Sequence, residues 1–351
     1  IIILNSQIMK NLLIFFLFLG LIAGCKPKSK DAEQKPAVLT ELQTKAKTFF
    51  GELPKFAENP NNPITSEKVL LGKALYFDPI LSKNKTQSCN TCHNLATYGV
   101  DNNQFSAGDK KGTIGGRNSP TTLNAALHVA QFWDGRAPDV EAQAGGPVLN
   151  PVEMGLSGEK EAIDRLSAVP KYKEMFTKAF PESKDNPITW DNLTKAIAAF
   201  ERKLITPSRF DDYLAGDDSA LNDTEKKGLQ LFIDKGCIAC HSGPALGGGT
   251  FQKFGVYGDY WKETGSKTID EGKSAVSKNA AEKNFFKVPS MRNVTKTFPY
   301  FHDGSVTDIR EAVRIMGKIQ LNSSLTEEEI DQMVAFLETL TGEVPEELKT
   351  L

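Results

Sequence analysis

Four segments of the chain repeat apolar residues at intervals of three and four positions, which is typical of helices that bury one face. They are 66–77, 190–205, 224–235 and a segment that starts at Leu325. The first segment is followed by Pro79, and the last contains Thr326 and Glu329 at the spacing of a capping box. The alternation of apolar and polar residues that is typical of strands is scarce. The pattern therefore predicts a mainly α fold.

Two long stretches lack this periodicity. Residues 99–120 are polar and rich in glycine, and 242–284 contains three consecutive glycines followed by a tract rich in Lys, Glu, Ser and Ala. Long loops in a compact domain are commonly functional or disordered. A length of 351 residues suggests about two domains. We place their boundary near Thr206, which gives a first domain over 46–205 and a second over 206–351.

The N-terminal segment predicts export. After Met9 and a short charged region, an apolar run extends to Leu21, and small residues then precede Cys25. This order is typical of a secretory signal peptide, and the position of the Cys resembles a bacterial lipobox. We expect residues 1–25 to be a signal peptide with a lipobox, and a lipidated Cys25 to anchor the protein to a membrane in the periplasm. A plain signal peptide with an incidental Cys is the alternative. Residues 26–45 are expected to form a flexible tether.

Two Cys-Xaa-Xaa-Cys-His motifs carry the strongest chemical signal in the sequence. The first motif is Cys89–His93 and the second motif is Cys237–His241. Their thiols belong to Cys89, Cys92, Cys237 and Cys240, and their imidazoles to His93 and His241. Two thiols at this spacing can form thioethers to the two vinyl groups of one haem, and the adjacent His then binds the iron. The sequence therefore predicts one covalently bound c-type haem in each domain.

A redox dithiol, or a zinc site shared by both motifs, is the alternative interpretation of these cysteines. Each pair is followed at once by His, which neither alternative requires. The pairs also lie about 150 residues apart, farther than the ligand pairs of one zinc site usually do. The formal net charge of −2 gives no indication of nucleic acid binding. We therefore favour two haems.

Five further segments resemble bacterial di-haem cytochrome c peroxidases, a family that includes the di-haem enzymes that oxidise tryptophans of a methylamine dehydrogenase precursor. They are Arg117–Thr121, Gln131–Arg136, Asn150–Met154, Pro299–Gly304 and Met316–Gln320. The resemblance implies two cytochrome c-like domains. It also implies reduction of hydrogen peroxide to water, with electrons from a small cytochrome c or a cupredoxin. A homodimer is a further expectation, because the family often forms dimers.

The resemblance implies that the haem at His93 is the low-potential, peroxidatic centre. Glu153 and Gln143 match the family's acid–base pair above that haem. A carboxylate there can take the proton of bound peroxide and return it to the leaving hydroxyl, while an amide can orient peroxide and stabilise developing charge. Without the resemblance, Glu153 would be interpreted as a solvated surface acid.

By the same resemblance, the haem at His241 is the high-potential centre that accepts electrons. Met316 matches its sixth ligand, in a segment expected to pass from helix to loop before Gly317, and thioether ligation raises a haem potential. A tyrosine occupies this place in the tryptophan-oxidising branch. Packing is the alternative role for a single Met, and the other candidates are Met154, Met175, Met291 and Met333. Trp133 matches a residue that couples the two haems electronically, with core packing as the alternative.

Three residues match a calcium site of the family that lies between the domains: Asn118, Thr297 and Pro299. Its ligands are one side-chain oxygen, backbone carbonyls and waters, which suits the loose oxygen coordination of Ca²⁺. These residues are otherwise common in loops. The resemblance therefore predicts an ion that holds the two haem domains in register for electron transfer.

The chain departs from the family in the loop that follows the first motif. Many members carry a His there that ligates the peroxidatic iron in the oxidised enzyme, but the matching position is Asp109, and the sequence has no His between His93 and His128. We therefore expect the peroxidatic haem to be open in the oxidised state. His128 is the rival ligand; it lies in an apolar stretch expected to be helical, which favours packing or hydrogen bonding.

Three functions remain to be distinguished at this point. The first is a peroxidase supplied by a small cytochrome c or a cupredoxin. The second is an electron carrier with two haems, for which both irons would be six-coordinate. The third is oxidation of another substrate through a high-valent di-haem state, against whose known version Met316 counts. Glu153, Gln143 and an open first haem favour the peroxidase.

Overall fold

The computed structural model describes residues 39–350. The expected signal peptide, Cys25 and most of the expected tether lie outside the described residues. Helices make up 47% of the structure, which confirms the mainly α prediction. None of the helices among residues 39–350 combines the length and the apolar character needed to cross a bilayer.

The described chain forms fifteen α-helices and one two-stranded antiparallel sheet. The helices are α1 Glu41–Phe50, α2 Ser66–Phe77, α3 Cys89–Cys92, α4 Val140–Ala144, α5 Gly146–Leu149, α6 Glu159–Ser167, α7 Pro170–Ala179, α8 Trp190–Glu201, α9 Arg209–Ala215, α10 Asp223–Asp234, α11 Tyr260–Thr264, α12 Ser274–Ser277, α13 Ile309–Leu321, α14 Glu327–Glu338 and α15 Glu346–Lys349. The strands are β1 Phe251–Lys253 and β2 Phe285–Lys287, with Gln252 opposite Phe286. The scarcity of strand patterns in the sequence is thus confirmed.

The four helices predicted from periodicity are present as α2, α8, α10 and α14. Their starts follow from capping: Thr65 accepts a hydrogen bond from the backbone of Lys68 at the start of α2, and Thr326 and Glu329 form the expected capping box of α14. Helix α8 ends at Glu201, four residues earlier than the periodicity suggested. Local sequence therefore determines these helices almost completely.

Two helix crossings, one in each half of the chain, are built in the same way. Helix α2 crosses α8 at Gly72, where a β-carbon would lie 1.9 Å from the carbonyl oxygen of Ala196. Helix α10 crosses α14 at Gly228, where a β-carbon would lie 1.8 Å from the carbonyl oxygen of Gln332. Each glycine therefore permits a close backbone contact that any larger residue would block. Each haem motif follows the first helix of one of these pairs.

Helix α1 corrects the predicted boundaries of the tether and the first domain. Residues 41–45 are helical, because Thr40 and Gln43 form a capping box at the start of α1. The buried side chains of Ala46 and Phe50 belong to the core of the second half, and the Phe50 ring meets that of Phe210 edge-on at 5.4 Å. The start of the described chain thus packs with residues beyond 206.

Candidate active site

The first motif forms a single helical turn. Helix α3 runs from Cys89 to Cys92, and the backbone N–H of His93 continues it by donating to the carbonyl of Cys89 at 2.9 Å. One turn brings the two thiols to the same side of the backbone, next to the imidazole. The hydroxyl of Tyr76, from α2, donates to the carbonyl of His93 at 2.6 Å. The helix crossing of the first half therefore fixes the position of the motif.

The second motif repeats this arrangement after α10. Residues 237–239 form a 3-10 turn, and the N–H of His241 donates to the carbonyl of Cys237 at 2.9 Å. Burial lowers the pKa of His241 to about 4, and it also lowers the pKa of His93. Both imidazoles are therefore neutral at physiological pH, which is the form that binds a metal.

The surroundings of the cysteines fit haem attachment. The four described cysteines form no disulfide, and residues 39–350 contain no group of three or more Cys, His, Asp or Glu side chains placed to hold a metal ion. A mainly apolar cavity of about 410 Å³ opens at the second motif and is lined by Cys237, Cys240 and His241. A flat apolar cofactor attached through both thiols suits these walls. The two motifs do not form a shared zinc site within residues 39–350.

Met316 lies on α13 and lines the same cavity as His241. The expected passage from helix to loop before Gly317 is wrong, since α13 continues to Leu321. At Gly317 the helix passes close to Leu325, one of whose methyl groups would lie 2.9 Å from a β-carbon. Met291 and Met333 also line the cavity, whereas Met154 is buried in the core of the first half.

Glu153 is partly buried in a tight turn that follows α5. The side-chain amide of Asn150 donates to Glu153 Oε1 at 2.9 Å, and the N–H of Glu153 donates to the carbonyl of Asn150 at 3.0 Å. Burial raises the pKa of Glu153, opposed by the charge of Arg136 and by Asn150. Burial is the main cause that raises the pKa of Cys92, to about 11, and the charge of Glu153 adds to it, which indicates that this carboxylate lies near the first motif. Glu153 is therefore not a solvated surface acid.

Gln143 lies on α4, ten residues before Glu153 along the same continuous segment. Its side chain makes no hydrogen bond to residues 39–350, whereas its backbone N–H donates to Asp139 at the helix start. The structure thus leaves the amide of Gln143 available and does not join it directly to Glu153.

Asp109 is buried and its carboxylate is fully engaged by the neighbouring loop. The backbone N–H of Asn84 donates to Oδ2 at 2.6 Å, and Thr86 donates to Oδ1 from its hydroxyl at 2.6 Å and from its backbone at 3.2 Å. These hydrogen bonds lower the pKa of Asp109 against the effect of burial. The N–H of Asp109 also donates to the carbonyl of Glu153 at 2.8 Å. Asp109 therefore ties the loop after the first motif to the turn that carries Glu153.

Trp133 lines the cavity of the second motif from the first half of the chain. Its indole N–H donates to the carbonyl of Asn118 at 2.9 Å, and its own carbonyl accepts from the N–H of Lys287 at 2.8 Å. Beside it, Arg117 pairs with Asp134 at 2.6 Å and with Asp270 at 2.7 Å. Trp133 is thus held by hydrogen bonds and ion pairs between the two halves.

Asn118, Thr297 and Pro299 all line the same cavity. The side-chain N–H of Asn118 donates to the carbonyl of Asn103 at 2.9 Å, which orients the amide and leaves Oδ1 free of hydrogen bonds from residues 39–350. The set consists of oxygen donors, as a calcium site requires.

His128 is not in a helix, contrary to expectation. A 3-10 turn ends at Leu127, and the backbone at His128 is extended because the next residue, Val129, donates its N–H to the carbonyl of Gly248 at 2.9 Å. His128 lines the cavity of the second motif, where its Nδ1 lies 3.0 Å from Lys287 Nζ.

Sequence reasoning missed Lys287 and Glu201. The signal for Lys287 was a single charge in the apolar run from Phe285 to Val288. Glu201 is buried at the end of α8, where burial raises its pKa to about 8, and its charge raises the pKa of Cys89. No local pattern distinguishes Glu201 from the exposed acids of other helices.

Comparison with known proteins identifies the family of the chain. Residues 66–219 match the family described as di-haem cytochrome c peroxidase, and residues 225–341 match cytochrome c. The chain is 46% identical to a cytochrome c551 peroxidase of Nitrosomonas europaea, over 81% of this chain and 83% of that protein. It is 43% identical to a cytochrome c551 peroxidase of Pseudomonas aeruginosa, over 87% of each.

The wider family is also represented. The methylamine utilization protein MauG of Methylorubrum extorquens is 36% identical over 80% of each chain. A solved MauG-like protein associated with microbial copper homeostasis superposes with a TM-score of 0.75 at 28% identity, over 86% of this chain and 95% of that one. Two cytochrome c-type units imply two haems c. Family, fold and motifs agree, and the chain belongs to the di-haem cytochrome c peroxidases and is a cytochrome c peroxidase.

Proposed function

We propose that this peroxidase works in the periplasm, where it reduces hydrogen peroxide to water at the first motif with electrons that enter at the second. The observation that carries the proposal is that the partly buried Glu153 is held near the first motif. Haem supplies the iron that binds peroxide and the electrons that cleave its O–O bond. The proposed domains are 46–205 and 206–351, except that the residues of α1, up to Phe50, pack with the second domain.

Glu153 moves the proton in this proposal. Its raised pKa brings the carboxyl closer to the working pH, which favours both taking and returning a proton. With haem bound, the carboxylate would accept a proton from peroxide and return it to the departing hydroxyl, which would leave as water. The hydrogen bond from Asn150 fixes Oε1, so the other oxygen is available. Gln143, whose amide has no partner among residues 39–350, orients the peroxide.

We propose that the first haem is open when the protein is fully oxidised. In place of the ligand His of many relatives the chain has Asp109, whose carboxylate is held by Asn84 and Thr86. The only other nearby candidate in the sequence, His128, lines the cavity of the second motif. Peroxide could then bind without prior reduction.

An electron spin resonance spectrum of the fully oxidised holoenzyme tests the open site. We expect a high-spin ferric signal from the first haem and a low-spin signal from the second. Two low-spin signals, with nitrogen ligation on both sides of the first iron, would contradict the proposal.

The second site is proposed to accept the electrons. Met316 is the proposed sixth ligand opposite His241, and both line one cavity. Trp133 is proposed to couple the two haems, because it lines that cavity and its indole N–H donates to the carbonyl of Asn118. Two residues later, the backbone carbonyl of Pro120 lies near enough to His93 to raise the pKa of its imidazole. The donor would be a small cytochrome c or a cupredoxin.

Calcium, the lipid anchor and the dimer complete the proposal. Asn118, Thr297 and Pro299 would hold Ca²⁺ through Oδ1 and carbonyl oxygens. Removal of Ca²⁺ from the holoenzyme with a chelator should then lower turnover, and addition of Ca²⁺ should restore it.

A lipidated Cys25 would tether the enzyme to a bacterial membrane. Sedimentation of the holoenzyme at several concentrations tests for a homodimer.

Steady-state turnover of reduced cytochrome c with peroxide tests the function itself. Glu153→Gln should lower kcat by roughly 10²- to 10⁴-fold, the usual range for loss of a general acid–base. Glu174→Gln, which changes an exposed acid of α7, is the matched control and should leave kcat unchanged. Equal rates for the parent and Glu153→Gln would remove Glu153 from the mechanism. Absence of peroxide turnover in the parent, with both haems reducible, would favour an electron carrier or oxidation of another substrate.

A further inference from the structure

Lys287 is a buried cation without a carboxylate partner. It ends β2, and only 6% of its surface is exposed. Its Nζ makes one hydrogen bond within residues 39–350, to His128 Nδ1 at 3.0 Å, and no Asp or Glu of that range lies within ion-pair distance. Burial lowers the pKa of Lys287 to about 8, so the ammonium form still predominates at neutral pH. A buried ammonium in this setting requires an anion.

The hydrogen bond between the two side chains fixes the tautomer of His128. An ammonium only donates, so Nδ1 must accept and the ring proton must lie on Nε2. Nε2 is buried and has no hydrogen-bond partner in the described chain. The pair therefore has two unused kinds of donor, the remaining ammonium N–H groups and the imidazole Nε2–H, and no unused acceptor.

Both side chains face the cavity of the second motif, together with Cys240 and His241. Gly248 makes this placement possible, since its φ is +75° and a β-carbon there would lie 2.1 Å from His128 Cδ2. The cavity that both residues line is the space that a haem attached at Cys237 and Cys240 would occupy. Haem carries two propionate carboxylates at the edge away from its vinyl groups.

We propose that Lys287 and His128 bind a propionate of the haem attached at the second motif. The proposal rests on haem attachment there and not on peroxide as the substrate. An ammonium beside the propionate offsets its negative charge. Because ferric iron carries one more positive charge than ferrous iron, this cation disfavours the ferric form and raises the reduction potential of the second haem.

Equilibrium redox titration of the holoenzyme, followed by the absorption of each haem, tests the proposal. Lys287→Met removes the cation and should lower the potential of the second haem. Lys253→Met is the matched control: it removes one lysine from β1 of the same sheet, but that side chain is exposed. The shift from Lys287→Met should be several-fold larger than the control shift, and Lys287→Arg should stay near the parent.

Equal shifts for Lys287→Met and Lys253→Met would overturn the proposal, as would a shift confined to the first haem. If Lys287→Met does not retain haem, His128→Leu carries the test, because it leaves the cation and removes the Nε2 donor. Its propionate bending band in the resonance Raman spectrum should move from that of the parent; an unmoved band would contradict the assignment. These measurements need no peroxide, so a failed proposed function would not alter their outcome.

Discussion

The two haem motifs share one local frame but differ in what covers them. Each follows a helix that crosses its partner at a glycine, Gly72 or Gly228. Near the first motif lie a loop and a turn that are tied together through Asp109 and carry Glu153. Over the second lies a continuous helix, α13, that carries Met316. The difference shows that one helix-and-motif frame can serve two chemical purposes when the covering segment changes.

The buried ionisable groups also differ in sign. Near the first motif they are carboxyls: the partly buried Glu153, whose pKa is raised, and the buried Glu201, whose pKa of about 8 leaves it mostly protonated and neutral at pH 7. At the second motif the group is Lys287, with a lowered pKa. Negative charge near an iron favours the ferric form and positive charge favours the ferrous form. The carboxylate of Glu153 and the ammonium of Lys287 therefore agree with a lower potential at the first haem and a higher potential at the second.

The largest effect on this contrast between the two motifs is expected from replacing Met316. Met316→Leu keeps the apolar volume but removes the sulfur that is the proposed sixth ligand of the second iron. Thioether ligation favours ferrous iron, so the potential of the second haem should fall and turnover with reduced cytochrome c should drop by at least about tenfold. Met333→Leu is the matched control, since Met333 lines the same cavity from α14. If only Met333→Leu lowers the potential, the ligand has been assigned to the wrong helix.

The contrast at the first motif depends on Asp109. Asp109→Ala leaves the donors of Asn84 and Thr86 without their acceptor, and should lower the free energy of unfolding by about 1–3 kcal/mol. The turn that carries Glu153 should also loosen, and because a displacement of about 1 Å can strongly affect catalysis, kcat should fall by roughly tenfold. Denaturation and steady-state assays measure both. The exposed Asp185→Ala is the control; an equally small effect of both variants would show that Asp109 does not hold the site.

The pH dependence of stability tests whether the buried Glu201 ionises as its raised pKa indicates. Glu201 has a folded pKa of about 8, above its unfolded value of about 4.3. Its contribution to the free energy of unfolding is therefore fully present below the unfolded pKa and is lost as the pH rises through about 8. Glu201→Gln should therefore melt at least about 2 °C higher than the parent at pH 9 and close to the parent at pH 4. A constant difference between the two proteins across this range would exclude ionisation as the cause.

The smallest change in melting temperature is expected from Glu153→Gln, for the same reason. Its pKa is raised, but less than that of Glu201, so the ionised carboxylate costs stability at neutral pH. Glu153→Gln should melt slightly higher than the parent at pH 7 and equally at pH 4, as thermal unfolding at the two pH values would show. A lower melting temperature at pH 7 would mean that the carboxylate is stabilised by its neighbours.

The sequence predicted the main helices and the two haem motifs because these features depend on residues that are close together in the chain. Helix periodicity located α2, α8, α10 and α14, and the capping box at Thr326 marked the start of α14. The two motifs located the haems because their chemistry depends on a spacing within one helical turn. Glu153 was reached only through the surrounding segment, since a single acid in a turn carries no signal of its burial.

Contacts between distant segments decided the rest. The docking of α1 on the second half, the hydrogen bonds between Asp109 and Thr86, and the pairing of His128 with Lys287 join residues 23 to 160 positions apart. The burial that shifts the pKa of Glu201 and Lys287 is likewise a property of the assembled core. The sequence alone determined where haem is attached and which helices form, because both depend on neighbouring residues. Only the tertiary structure decided which groups surround each haem, because burial and charge at a site come from segments far apart in the chain.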